Sequence, residues 1–70
     1  MTFTIQSENV GKFNIYIEQE KFESNFKVGI VKEQSPGLYG FPISELRYET
    51  LNKAKRRYQH LKRKALRGEY

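Results

Sequence analysis

The strongest constraint on this chain is a change of hydrophobic rhythm partway along it. Over the first half apolar residues alternate with polar ones, residues 34–42 break the pattern, alternation returns over 43–49, and from Leu51 onward apolar residues recur three and four apart. A period of two marks strands with one buried face, and a 3-4 spacing marks one stripe of a helix. Phe3 and Ile5 share one side of an expected strand over 2–6, and Ser-Glu-Asn-Val-Gly at 7–11 has turn composition. Residues 12–18 place Phe13, Ile15 and Ile17 inward, with Asn14, Tyr16 and Glu18 outward. Gln19 to Lys21 suits a turn, and 22–32 gives a third strand with Phe26, Val28 and Ile30 on one face. Strands joined this closely pair as an antiparallel meander. A short fourth strand is expected at 45–49.

Leu51, Ala54, Tyr58, Leu61 and Ala65 form the helical stripe. Extended backwards, that stripe lands on Arg47 and Ser44, so the helix starts at 51 with Thr50 as its N-cap rather than at Ser44. It is expected over 51–67, with Gly68 ending it. The predicted fold is therefore α+β: a single domain with a three- or four-stranded antiparallel sheet and one C-terminal amphipathic helix packed on one face. A sheet this small needs the helix to keep Phe13, Ile15, Phe26 and Val28 out of water.

Charge is divided as sharply as rhythm. Residues 51–70 hold eight of the thirteen Lys and Arg and only one acid, Glu69, whereas residues 1–50 hold seven acids and five Lys or Arg. At 100° per residue the apolar stripe spans about 280° to 360°, and Lys53, Arg56, Arg57, His60, Arg63, Lys64 and Arg67 span about 120° to 240°. The basic arc thus lies opposite the stripe. Cations near a helix C-terminus suit the macrodipole, and a solvated face is the ordinary explanation of a charge run. A purely solvated face, however, gains from acids placed four residues before its lysines. Here Lys53–Arg57 and Arg63–Arg67, and His60–Lys64 when His60 is charged, set like charges at that spacing instead. An anionic partner relieves the repulsion, so these seven residues are the expected phosphate-contacting set of a nucleic-acid-binding protein, DNA or RNA. Tyr16 and Lys27 on the far sheet face are a second expected contact, through base stacking.

The alternative is a protein-interaction module, with the helix solvated or docked on an acidic protein. Its candidate residues are Leu38, Tyr39 and Phe41, which follow the Ser-Pro-Gly turn at 35–37. The sequence leans toward these three closing the core; exposed, they would form an aromatic anchor. Edge strands offer a homodimer by pairing across a two-fold.

Other classes find little support. There is one histidine, set among cations, and no serine lies at motif spacing from a base, so no enzyme is expected. With no cysteine, and with Glu18, Glu20 and Glu23 lacking EF-hand spacing, neither metal nor cofactor is expected. The N-terminus lacks the pattern of a signal peptide and no apolar run is long enough to span a bilayer, which makes the cytoplasm the expected location.

Overall fold

A computed structural model describes residues 2–20 and 25–70, without the side chains of Thr2 and Glu20. The chain runs β1 (Thr2–Val10), β2 (Phe13–Glu20), β3 (Phe26–Ser35), β4 (Leu38–Tyr39), β5 (Ser44–Tyr48) and α1 (Leu51–Leu66). All pairings are antiparallel: β1 with β2, β2 with β3, and then β3 with both β4 and β5 along different stretches of its second edge. The expected α+β plan of an antiparallel sheet under one C-terminal helix is the observed fold. Gln19 and Glu20, expected to begin a turn over 19–21, instead continue β2; the rest of that turn and the strand start expected at 22 lie outside the described residues.

β1 runs four residues beyond the expected 2–6. The segment at 7–10 is strand, and the reversal is confined to Gly11 and Lys12. Gly11 has φ 61, and a glycine with positive φ at the first central position is the pattern of a type II′ hairpin turn, whose twist matches the flanking strands. Within β1 the register slips: Thr4 faces Glu18 and Gln6 faces Ile17, leaving Ile5 as an extra residue. One extra residue reverses the alternation. Beyond the bulge Gln6, Glu8 and Val10 therefore share the helix-covered face with Ile17, Ile15 and Phe13.

α1 covers the face that the alternation marked. Ile15, Ile17, Val28 and Ile30 from the sheet and Ala54, Tyr58, Leu61 and Ala65 from the helix form one buried cluster, with Val10, Phe13, Phe26, Tyr48, Leu51 and Tyr70 packed around it. Both helix ends are closed chemically. The Thr50 hydroxyl accepts from the Lys53 amide at 3.3 Å. At the other end Gly68 takes φ 74, its amide donates to Ala65, and the Glu69 amide donates to Lys64, which is the Schellman arrangement. Tyr70 then folds back against Phe13, ring centroids 6.2 Å apart.

Among the described residues, the opposite face of the sheet carries one packed aromatic. Tyr16 faces Gly29 across the β2–β3 ladder and lies over it; its hydroxyl donates to Glu45 on β5 at 2.5 Å. A Cβ at position 29 would stand 2.3 Å from the Tyr16 hydroxyl oxygen and 2.5 Å from ring carbon Cζ. Glycine is thus required here by the tyrosine rather than by backbone dihedrals. Gly29→Ala should cost about 1–3 kcal/mol by overpacking, read as a lowered midpoint in urea unfolding. The same substitution should cost clearly less in a Tyr16→Val background, where the ring is gone.

Candidate nucleic-acid interface

The helix lies across the sheet so that its two flanks meet different strands. On one flank Lys62 reaches Glu8 of β1, Nζ to Oε2 2.8 Å. On the other, the Arg57 guanidinium donates through Nη2 to the Ser44 hydroxyl of β5 at 3.2 Å, and its Nε is buried without a partner among the described residues. These contacts fix the helix's rotation about its own axis. The arc most remote from the sheet is then Lys53, Arg56, His60, Arg63 and Arg67, all exposed.

The seven residues expected to touch phosphate separate into two kinds. Lys53, Arg56, His60 and Arg63 stand in solvent and make no ion pair with any described residue. Arg56 and Arg63, with Lys55 and Gln59, line a shallow surface recess of about 430 Å³. Arg57, Lys64 and Arg67 are already engaged. Arg57 is tied to Ser44, Lys64 places its ammonium 4.9 Å from the Tyr70 ring centroid, and Arg67 pairs with Glu69 at 2.5 Å. Lys55 is exposed and unpaired among the described residues, so it joins the open set.

The second expected contact, Tyr16 with Lys27, has a different environment from the one that base stacking needs. Tyr16 is only 8% exposed, because its ring is laid on Gly29 and its hydroxyl is held by Glu45. Burial first, then Glu45, pushes the Tyr16 phenol well above its ordinary value. Lys27 lies 3.9 Å from Glu45 and faces Glu18 across the ladder. The reading of Leu38, Tyr39 and Phe41 as closing the core is overturned: they are 57%, 44% and 96% exposed, beside an equally open Ile43. The β3–β4 hairpin extends past the end of the region that α1 covers, so these side chains have no layer to pack under.

Under the helix margin sits a polar group that the sequence did not single out. Tyr58 is fully buried, and its hydroxyl lies beside Glu8 and Gln6 without completing a hydrogen bond. Burial, with Glu8 adding to it, pushes this phenol up to about 12. The Lys62 ammonium first, and then the adjacent Tyr58 hydroxyl, hold the Glu8 carboxyl below its ordinary value. No signal could have found this trio without the bulge at Ile5, which turns Glu8 toward the helix. Among the described residues no helix is long and apolar enough to cross a membrane, and no His, Cys, Asp or Glu cluster could hold a metal.

A carboxyl whose folded pKa is depressed contributes stability above its unfolded value, and that contribution is lost as pH falls through the folded one. Glu8 should therefore stabilise the fold fully above about pH 4.5, its ordinary value, and lose that contribution as pH falls from there through its depressed folded value. Thermal unfolding followed by circular dichroism should show Glu8→Gln lowering Tm at pH 7 while reducing the fall in Tm on acidification. An unchanged acid slope would remove Glu8 from this role.

No protein-family model matches the chain, and no curated protein or solved structure matches it significantly.

Proposed function

We propose that this is a small non-enzymatic nucleic-acid-binding protein that contacts phosphates through the outer face of α1. One observation carries the reading: Lys53, Lys55, Arg56 and Arg63 project from one rigid helix with no carboxylate among the described residues paired to any of them. Folding alone favours interspersed acids on such a face, because like charges one turn apart repel by about 0.2–0.5 kcal/mol per pair. A polyanion removes that repulsion and releases its own counterions on binding. Arg56 and Arg63 offer forked donors to phosphate oxygens, and Lys53 and Lys55 act as point charges. Contacts of this kind hold a duplex or strand in place without reading its sequence. Gln59 and His60, exposed within the same arc, are the residues able to reach a base edge if the helix enters a major groove.

A second reading has its own support. The exposed Leu38, Tyr39 and Phe41 suit a protein partner, and in that case the helix face is solvated or docks on an acidic protein.

Fluorescence anisotropy with short DNA and RNA duplexes separates the two. Four neutralised phosphates give a slope of about −3.6 in log K against log salt on duplex DNA. The variant Lys53→Ala/Arg56→Ala/Arg63→Ala should keep the wild-type circular dichroism spectrum, lose affinity at least tenfold and flatten the salt slope. Absence of binding at about 50 mM salt would reject the nucleic-acid reading. Loss of a protein partner on Phe41→Ala, with fold retained, would favour the second.

A further inference from the structure

The two edges of the sheet are not equivalent. β1 carries a bulge at Ile5, a feature that breaks the flat array of donors and acceptors another strand would need. Its one acid beyond the bulge, Glu8, is already taken by Lys62. β5 has no such bulge. It pairs on one side with β3 through five consecutive residues in unbroken register, Ser44 to Tyr48, and no described residue bonds to its other side.

The sequence of β5, Ser-Glu-Leu-Arg-Tyr, complements itself when reversed. An antiparallel pair centred on Leu46 sets Glu45 of each copy opposite Arg47 of the other, at both ends of the two-fold. It also sets Leu46 against Leu46, and Ser44 against Tyr48. The charges lie on the far face of the sheet and the leucines on the helix-covered face, because Leu46 shares its face with buried Val28. Within one chain Arg47 lacks what this arrangement supplies. Its cross-strand neighbour is Lys27, and it makes no ion pair with any described residue. Leu46 is 46% exposed although its partner Val28 is buried, so it too lacks a neighbour on the open side.

We propose that β5 is a homodimerisation edge, on which a second copy of this chain continues the sheet across a two-fold axis at Leu46. The axis runs perpendicular to the sheet, so both α1 helices lie on one face of the joined sheet. The flanks that carry Arg57 and Lys64 then turn toward the seam, since Arg57 is the residue that reaches β5. The partner is specified by charge order: a strand that presents Arg opposite Glu45 and Glu opposite Arg47. Self-association by this edge involves none of the open helix cations, so its failure and the failure of phosphate binding are separable.

Sedimentation equilibrium on the full chain, without nucleic acid, is the test. The wild type should populate a species of twice the 8.3 kDa chain mass as concentration rises. Arg47→Glu places Glu opposite Glu45 across the seam, while facing Lys27 favourably within its own chain; it should weaken the dimer at least tenfold. Glu45→Arg should do the same from the other side. An equimolar mixture of the two variants should restore a dimer, because each edge then presents one charge sign to the other's opposite sign. Glu45 also accepts from Tyr16, so Leu46→Lys provides an independent disruption on the other face should Glu45→Arg fail to fold. A wild type that stays monomeric to about 1 mM, beyond which association is too weak to matter by mass action, overturns the proposal. So does an Arg47→Glu variant that dimerises as the wild type does.

Discussion

Everything in this molecule depends on four helix residues, Ala54, Tyr58, Leu61 and Ala65, seated on Ile15, Ile17, Val28 and Ile30. With 70 residues the core is small, and no cysteine is present to staple it. An isolated helix of 16 residues is marginal in water, the more so with like charges one turn apart. The sheet supplies what the helix lacks, and the helix supplies the cover that a single-layer sheet lacks. The basic face is a consequence of this exchange. Once the apolar stripe is committed to the sheet, the residues opposite it have nowhere to go but solvent.

Two contacts at the margins turn that packing into a defined orientation. Lys62 on Glu8 and Arg57 on Ser44 brace the helix from either side, toward opposite edges of the sheet. They also use up basic residues, so the charge excess seen in sequence is larger than the charge left for a partner. Arg57, Lys64 and Arg67 are spent on Ser44, Tyr70 and Glu69, and the open arc narrows to Lys53, Lys55, Arg56 and Arg63 with His60 among them.

The fold was largely legible from periodicity because its main elements are strongly patterned. The stripe from Leu51 to Ala65 and the alternation through Phe13, Ile15 and Ile17 each bury a single face, and nothing local competes with them. The Thr50 cap followed from the phase of the stripe. Features that depend on pairing were not legible. The bulge at Ile5 shows only in register, and it places Glu8 rather than an apolar residue beside the helix. The exposure of Phe41 depends on how far the β3–β4 hairpin overhangs the helix, which no local pattern encodes. Tyr16 was placed on the correct face, yet its burial required Gly29 opposite and Glu45 on a third strand. At the candidate site, sequence identified which residues are basic and on which arc; it could not show which ones the rest of the chain would engage.

We propose that the open arc of α1 is where this protein meets an anion. The most direct measurement is a ¹⁵N-edited NMR titration of the protein with a short nucleic-acid duplex at low salt. The shifted backbone and side-chain signals should cluster on Lys53, Lys55, Arg56, Gln59, His60 and Arg63, and leave the segment from Leu38 to Ile43 unmoved. Shifts confined to that apolar segment, or none at saturating duplex, would contradict it.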